Sequence, residues 1–292
     1  MLAPEHQNAV RGKGSELDAA DRHCQTLATR HYENFAVSSR FLAPRVRVDL
    51  MRVYAFCRTT DDLGDESGAQ ALRRLARWRA EAEGMFRGEL PVHPVLIALR
   101  ETVERRSLPQ QPFLDLIAAN EQDQRVSTYG DWPSLRAYCL LSAAPVGRIV
   151  LQIFELFDPA LQALSDDVCI GLQLANFAQD ESRDARIGRR YLIGAEVDTL
   201  GVTGATRAMC ERARMLLSSG RILERAAPLP LRIQLSLYRL GGLAICDAIA
   251  RQGYETVACR PKLGRRAKLG VLLRAARETL AATVRAHRAQ PA

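Results

Sequence analysis

No CxxC pair occurs among the seven cysteines, Cys24, Cys57, Cys139, Cys169, Cys210, Cys246 and Cys259, and no histidine-rich stretch accompanies them. That argues against a zinc site or a disulfide framework and fits a reducing cytoplasm. No Gly-x-Gly-x-x-Gly run follows a strand-like segment, so a nicotinamide cofactor has no visible home. Gly12-Lys13-Gly14-Ser15 lacks the spacing of a P-loop. The opening residues, MLAPEHQNAVRGKGSE, contain no apolar core of a secretory signal. The longest uncharged apolar stretch, Val168 to Gln179, has twelve residues, too few to cross a bilayer. Aromatics are scarce at 6%, and alternating strand-like patterns are nearly absent. The remaining totals, 47% apolar and 25% charged, describe an ordinary soluble chain, and 292 residues suffice for a substantial core.

Helical periodicity dominates. It predicts helices at about 17–37, 46–63, 67–86, 93–106, 110–122, 131–155, 159–187, 203–225, 230–252 and 266–287, ended where Pro and Gly cluster. Residues 1–16 read as a disordered tail. No long or compositionally distinct linker follows, so 17–287 reads as one all-α domain, a helical bundle with a central cavity.

Two segments 119 positions apart carry the same acid spacing: YAFCRTTDDLGDE (Tyr54 to Glu66) and LQLANFAQDESRD (Leu172 to Asp184). Asp61 and Asp65 are i, i+4 neighbours, as are Asp180 and Asp184, so each pair projects from one helix face. The polar stripe runs back through Arg58 and Tyr54 in the first segment, and through Asn176 and Gln173 in the second. The plain alternative is a solvated face, stitched by Arg58, Arg183 and Arg186. The recurrence weighs against it, as do the apolar flanks: Val53, Ala55, Phe56 and Cys57 beside one stripe, Leu172, Leu174, Ala175, Phe177 and Ala178 beside the other. Acids in such company cost heavily in desolvation unless a cation meets them. Two carboxylate ladders suit magnesium and a phosphorylated substrate held between them, with Asp61, Asp65, Asn176, Asp180 and Asp184 as the expected ligands.

The net charge of +8 is concentrated late. From Arg251 to Ala292 there are ten Lys or Arg against two acids, Glu255 and Glu278, most densely in CRPKLGRRAK (Cys259 to Lys268). No aromatics interleave with these cations and no reader motif appears, which disfavours nucleic acid. Peripheral attraction to anionic lipid is the functional alternative to a solvated basic tail.

These segments resemble a known family. YAFCRTTDDLGDE is similar to the first aspartate-rich motif of the squalene/phytoene synthases. LQLANFAQDESRDARIGRRYL is similar to their second motif, with its trailing GRxYL. HYENF (His31 to Phe35), SAAPVGR (Ser142 to Arg148) and the paired Gly241 and Gly242 resemble the branch that makes hydroxysqualene in hopanoid pathways. The resemblance implies a trans-isoprenyl diphosphate synthase fold. It implies magnesium, with manganese as a substitute and no NADPH. It implies conversion of presqualene diphosphate to hydroxysqualene, with loss of diphosphate and capture of the carbocation by water. Handover from a sister synthase and to a downstream reductase follows from that place in the pathway. A coupling synthase acting on farnesyl or geranylgeranyl diphosphate is the catalytic alternative within the family, and a family member that has lost catalysis and serves in assembly is the alternative of another functional class. By resemblance His31, Asn34, Ser38, Arg40, Arg189 and Tyr191 join Tyr54, Gln173 and Asn176 around the substrate, and Arg58 assists the four aspartates. Departures from the family pattern stand at Asn120, Glu121, Glu181, Ser182 and Ile193.

Overall fold

Eleven helices and one short pair of strands make up the described residues, 4–30 and 42–288 of the computed structural model. Their packing forms two compact units, Met1–Gln124 and Arg125–Ala292. The division falls in a stretch with no linker-like composition, where the sequence pattern predicts a single domain.

The first unit holds α1 (Pro4–Arg30), α2 (Pro44–Asp65), α3 (Ala71–Phe86), α4 (Pro94–Arg106) and α5 (Gln111–Asp123). α1 starts inside the segment predicted as a disordered tail. Prolines open α2 and α4 in the first turn, where a missing N–H costs nothing. Phe56 of α2 is fully buried, stacked on Trp78 of α3 at 5.4 Å and met edge-on by Phe113 of α5 at 5.1 Å. Burial of such a ring stabilises by about 2–3 kcal/mol. The Trp78 indole N–H donates to Thr60 Oγ1 at 2.9 Å, so the aromatic core also fixes the turn of α2 just before Asp61. Asp49, completely buried, is held by Arg105, by Arg106 at 3.1 Å and by Thr102 at 3.0 Å, tying α2 to α4.

The second unit holds β1 (Thr128–Tyr129), α6 (Trp132–Ser142), α7 (Ala144–Ile153), α8 (Pro159–Asp184), β2 (Arg190–Ile193), α9 (Gly194–Ala226), α10 (Leu229–Arg251) and α11 (Arg265–Arg288). α8 packs against α7, α9 and α10. Gly171 permits its close approach to α9: a Cβ there would lie 3.1 Å from the Ala213 carbonyl oxygen. The single helix predicted over 131–155 is two, because Pro145 sits in the first turn of α7 and cannot continue the ladder from α6. α9 likewise breaks at Gly201, whose φ of 70° and ψ of 171° are open to glycine. The parallel pair β1–β2 is absent from the sequence prediction; four residues, RYLI, are too few to show a period. By length and composition Trp132–Ile153 and Leu229–Arg251 could cross a membrane, but 44% and 50% of their windows are buried in the fold, as in core helices. No cysteine is in a disulfide, and of the seven Cys259 is the one that is exposed.

Candidate active site

The first ladder lies on the last three turns of α2, the second on the last three turns of α8. Asp65 and Asp184 are the final residues of their helices. A helix C-terminus carries the negative end of the dipole, so carboxylates there are disfavoured and cations favoured. Both ladders therefore end where a carboxylate is electrostatically disfavoured.

In the first unit, Tyr54 and Arg58 are half-buried, whereas Asp61 and Asp65 are exposed at the end of the helix. Loss of solvation, helped by the neighbouring Asp65 charge, raises the Asp61 carboxyl to about 6, against an opposing hydrogen bond from Asn120. That bond, from Nδ2 to Oδ1, is 3.2 Å long. Gly64 makes it possible: a Cβ there would meet Asn120 Oδ1 at 2.5 Å. Arg58 points to Asp62, at 2.5 Å, and more distantly to Glu66 at 3.8 Å. Asp62 was not in the predicted site; its i+4 spacing from Arg58 is the signal that could have found the pair.

In the second unit, Gln173, Asp180 and Asp184 are half-buried and Asn176 is exposed. The Asp184 carboxyl is raised to about 7 by lost solvation and by the charges of Asp180 and Glu181, against Arg183 and Arg189. Asp180 is met by the guanidinium of Arg260, which also donates to Gln179 Oε1 at 3.3 Å. Gln179 in turn donates to the Pro261 carbonyl at 2.6 Å. The densest part of the basic segment thus folds back onto the second ladder. Arg260 is a site residue that local patterning missed, because the contact spans 80 positions.

The GRxYL segment positions α8. After Asp184 a 3₁₀ turn (Ala185–Ile187) ends at Gly188, φ 76°, and Arg189 N–H donates to the Asp184 carbonyl at 2.9 Å. Arg190 then pairs with buried Glu181 at 3.0 Å. Tyr191 is buried, its ring 3.8 Å from that of Phe177 and nearly parallel, with Tyr138 and Tyr129 extending the stack. The ring of Tyr191 thus works in the core beneath the ladder rather than on its open face. Three departures from the family pattern have structural partners: Asn120 on Asp61, Glu121 on Arg79 at 2.8 Å, and Glu181 on Arg190. His31, Asn34, Ser38 and Arg40 lie outside the described residues.

The family profile described as Squalene/phytoene synthase matches residues 28–272, more than four fifths of the chain. The chain belongs to the squalene/phytoene synthase family. Among curated relatives, the hydroxysqualene synthase of Rhodopseudomonas palustris is 33% identical over 258 residues, 82% of this chain and 85% of that protein. Phytoene synthase 1 of Arabidopsis thaliana is 28% identical over 89% of this chain and 67% of its own. The crystal structure of squalene synthase HpnC from Alicyclobacillus acidocaldarius is 42% identical and matches at a TM-score of 0.77, covering 82% of this chain and 96% of that one. A dehydrosqualene synthase at 20% identity shares the fold, with a TM-score of 0.82. Squalene/phytoene synthases are isoprenoid synthases, and this chain is an enzyme of that class.

A carboxyl raised in the folded state binds its proton more tightly than in the unfolded chain. Its contribution to stability therefore falls as pH rises from about 4 to 7, and the deficit is complete above that window. Asp184→Asn should accordingly raise the melting temperature of the metal-free protein at pH 8. The expected gain, discounted for partial solvent screening, is about 1 kcal/mol, or about 2–4 °C. At pH 4 the difference should vanish. Differential scanning fluorimetry with chelator checks this; equal melting of variant and parent at pH 8 would remove the electrostatic strain assigned to Asp184.

Proposed function

We propose that the protein converts presqualene diphosphate to hydroxysqualene, with magnesium, expelling diphosphate and capturing the carbocation with water. The observation that carries the metal part is the pair of carboxylate ladders at two helix C-termini, with Asp61 and Asp184 raised to about 6 and about 7. Among the described residues no three His, Cys, Asp or Glu side chains converge as a complete metal site. Magnesium takes one or two carboxylates and fills its remaining positions with water and phosphate oxygens. Each ladder would hold magnesium through its own residues, Asp61 and Asp65 on α2, and Asp180 and Asp184 with Asn176 on α8; manganese would substitute. Bound there, the cation offsets negative charge gathering on the departing diphosphate.

The remaining roles belong to the chain. Arg58 and Arg260 supply positive charge beside the two ladders, and Arg260 can exchange Asp180 for a phosphate oxygen. Gln173 and Tyr54 offer neutral hydrogen-bonding groups on the ladder faces, and Arg189 follows the second ladder. The reaction asks for apolar walls that exclude bulk water and present no nucleophile, so that a carbocation survives to rearrange before one water reaches it. Gly241 has open space where a Cβ would stand. Likeness to hydroxysqualene synthases, at 33% and 32% identity over most of the chain, supports water as the quench.

Product analysis decides the reaction. Purified protein with magnesium and presqualene diphosphate should yield an alcohol whose oxygen comes from labelled water, without NADPH. Squalene formed only with NADPH would replace this reading by the reductive one. A C30 or C40 product from farnesyl or geranylgeranyl diphosphate alone would replace it by a coupling synthase.

A further inference from the structure

α11 lies on α10 and buries Ala275 and Thr279. Its single acid, Glu278, turns inward to Arg239 at 2.5 Å and Arg274 at 2.9 Å. On another face Leu269, Leu273 and Leu280 are 56%, 63% and 66% exposed. Their i, i+4, i+11 spacing places them within an arc of about 40°, and Leu272 continues the stripe about 60° further round. Arg266 and Arg277 border the stripe on one side and Lys268 on the other, all exposed. The outward face of α11 thus combines contiguous leucines with a rim of cations and no acid.

We propose that this face docks on the anionic surface of a lipid bilayer. The rim chooses the occupant. Contiguous exposed leucines call for a cover. A second copy of the chain would bring the same cations against themselves, whereas anionic headgroups neutralise them while the leucines enter the acyl boundary. The bulk positive charge of the C-terminal segment alone would place Arg260 among the lipid contacts, but Arg260 turns to Asp180 instead. The docking element is the helix face from Arg266 to Leu280, not the CRPK loop before it. The proposal stands whichever species quenches the carbocation, because it is read by binding and not by product.

The test is co-sedimentation of the full chain with vesicles of equal phosphatidylglycerol and phosphatidylcholine, and with phosphatidylcholine alone. The parent should bind the anionic vesicles at about 50 mM salt and lose about tenfold in partitioning at about 500 mM. Leu269→Ser/Leu273→Ser/Leu280→Ser should weaken binding about tenfold or more, and Arg266→Gln/Lys268→Gln/Arg277→Gln should do the same. Both variants should keep the parent's circular dichroism, melting temperature and turnover on detergent-dispersed substrate, since every altered side chain is exposed. Equal binding by parent and both variants overturns the proposal, as does a parent that ignores anionic vesicles. A parent dimer that the leucine variant converts to monomers, with no vesicle binding, assigns the face to a second copy and overturns it too.

Discussion

Asp61→Asn, Asp65→Asn, Asp180→Asn and Asp184→Asn should each lower turnover about a hundredfold or more at saturating substrate and magnesium, with the helical circular dichroism unchanged. Asparagine keeps the shape of aspartate and removes the charge on which magnesium depends. The fold does not need these charges. Asp65 and Asp184 end their helices at the negative pole of the dipole, and Asp61 accepts a hydrogen bond from the neutral amide of Asn120. Asp180 is the exception, since its loss also frees Arg260. The same electrostatics sets a pH signature. With carboxyls at about 6 and about 7, protons would compete with the proposed metal below neutrality, so half-saturating magnesium should climb steeply as pH falls from 8 to 6. Two or more asparagine variants turning over at near-parental rates in limiting magnesium would reduce the ladders to solvated faces.

The largest stability effect is expected far from this chemistry, at Arg239. It is 1% exposed on α10 and gathers Glu224 of α9 at 2.6 Å and Glu278 of α11 at 2.5 Å; Ser236 donates to Glu224 at 3.1 Å. Arg239→Met keeps much of the stem volume but leaves two carboxylates facing one another with fewer cations. Breaking a buried ion cluster from one side costs about 3–5 kcal/mol, here a fall of about 10 °C or more in melting temperature. Glu278→Gln should cost less, because Arg239 keeps Glu224. Thermal melts of both variants check the order; an Arg239→Met protein as stable as its parent would show that apolar packing, and not the ion cluster, holds α11 in place.

What the sequence made legible follows from range. The ladders, their helices and most helix stops depend on spacing within a few turns, and α2, α3, α4, α5, α8 and α10 lie close to their predicted bounds. The break before Pro145 was also local, yet the apolar run on either side of it outweighed one proline in the pattern. β2 was hidden for a different reason: its four residues owe their strand geometry to Ser127, which accepts from the Arg190 N–H at 2.7 Å. The partners of Asp180 and Asp61 come from a distant position and from another helix, and that of Glu181 from the strand beyond the end of α8, none of which helical periodicity encodes. So the acids were visible and their counter-groups were not.

The placement of Cys259 makes the second ladder observable. Its neighbour Arg260 grips Asp180, while the thiol itself faces solvent. Cys24, Cys139, Cys210 and Cys246 are buried, and burial pushes the Cys57 and Cys169 thiols up to about 12 and about 11, where little thiolate exists to react. A maleimide fluorophore on the native chain would therefore attach at one place, on the residue next to the arginine that in the proposed reaction releases Asp180 for diphosphate. Its emission would time that release in a stopped-flow mixer without a single engineered substitution.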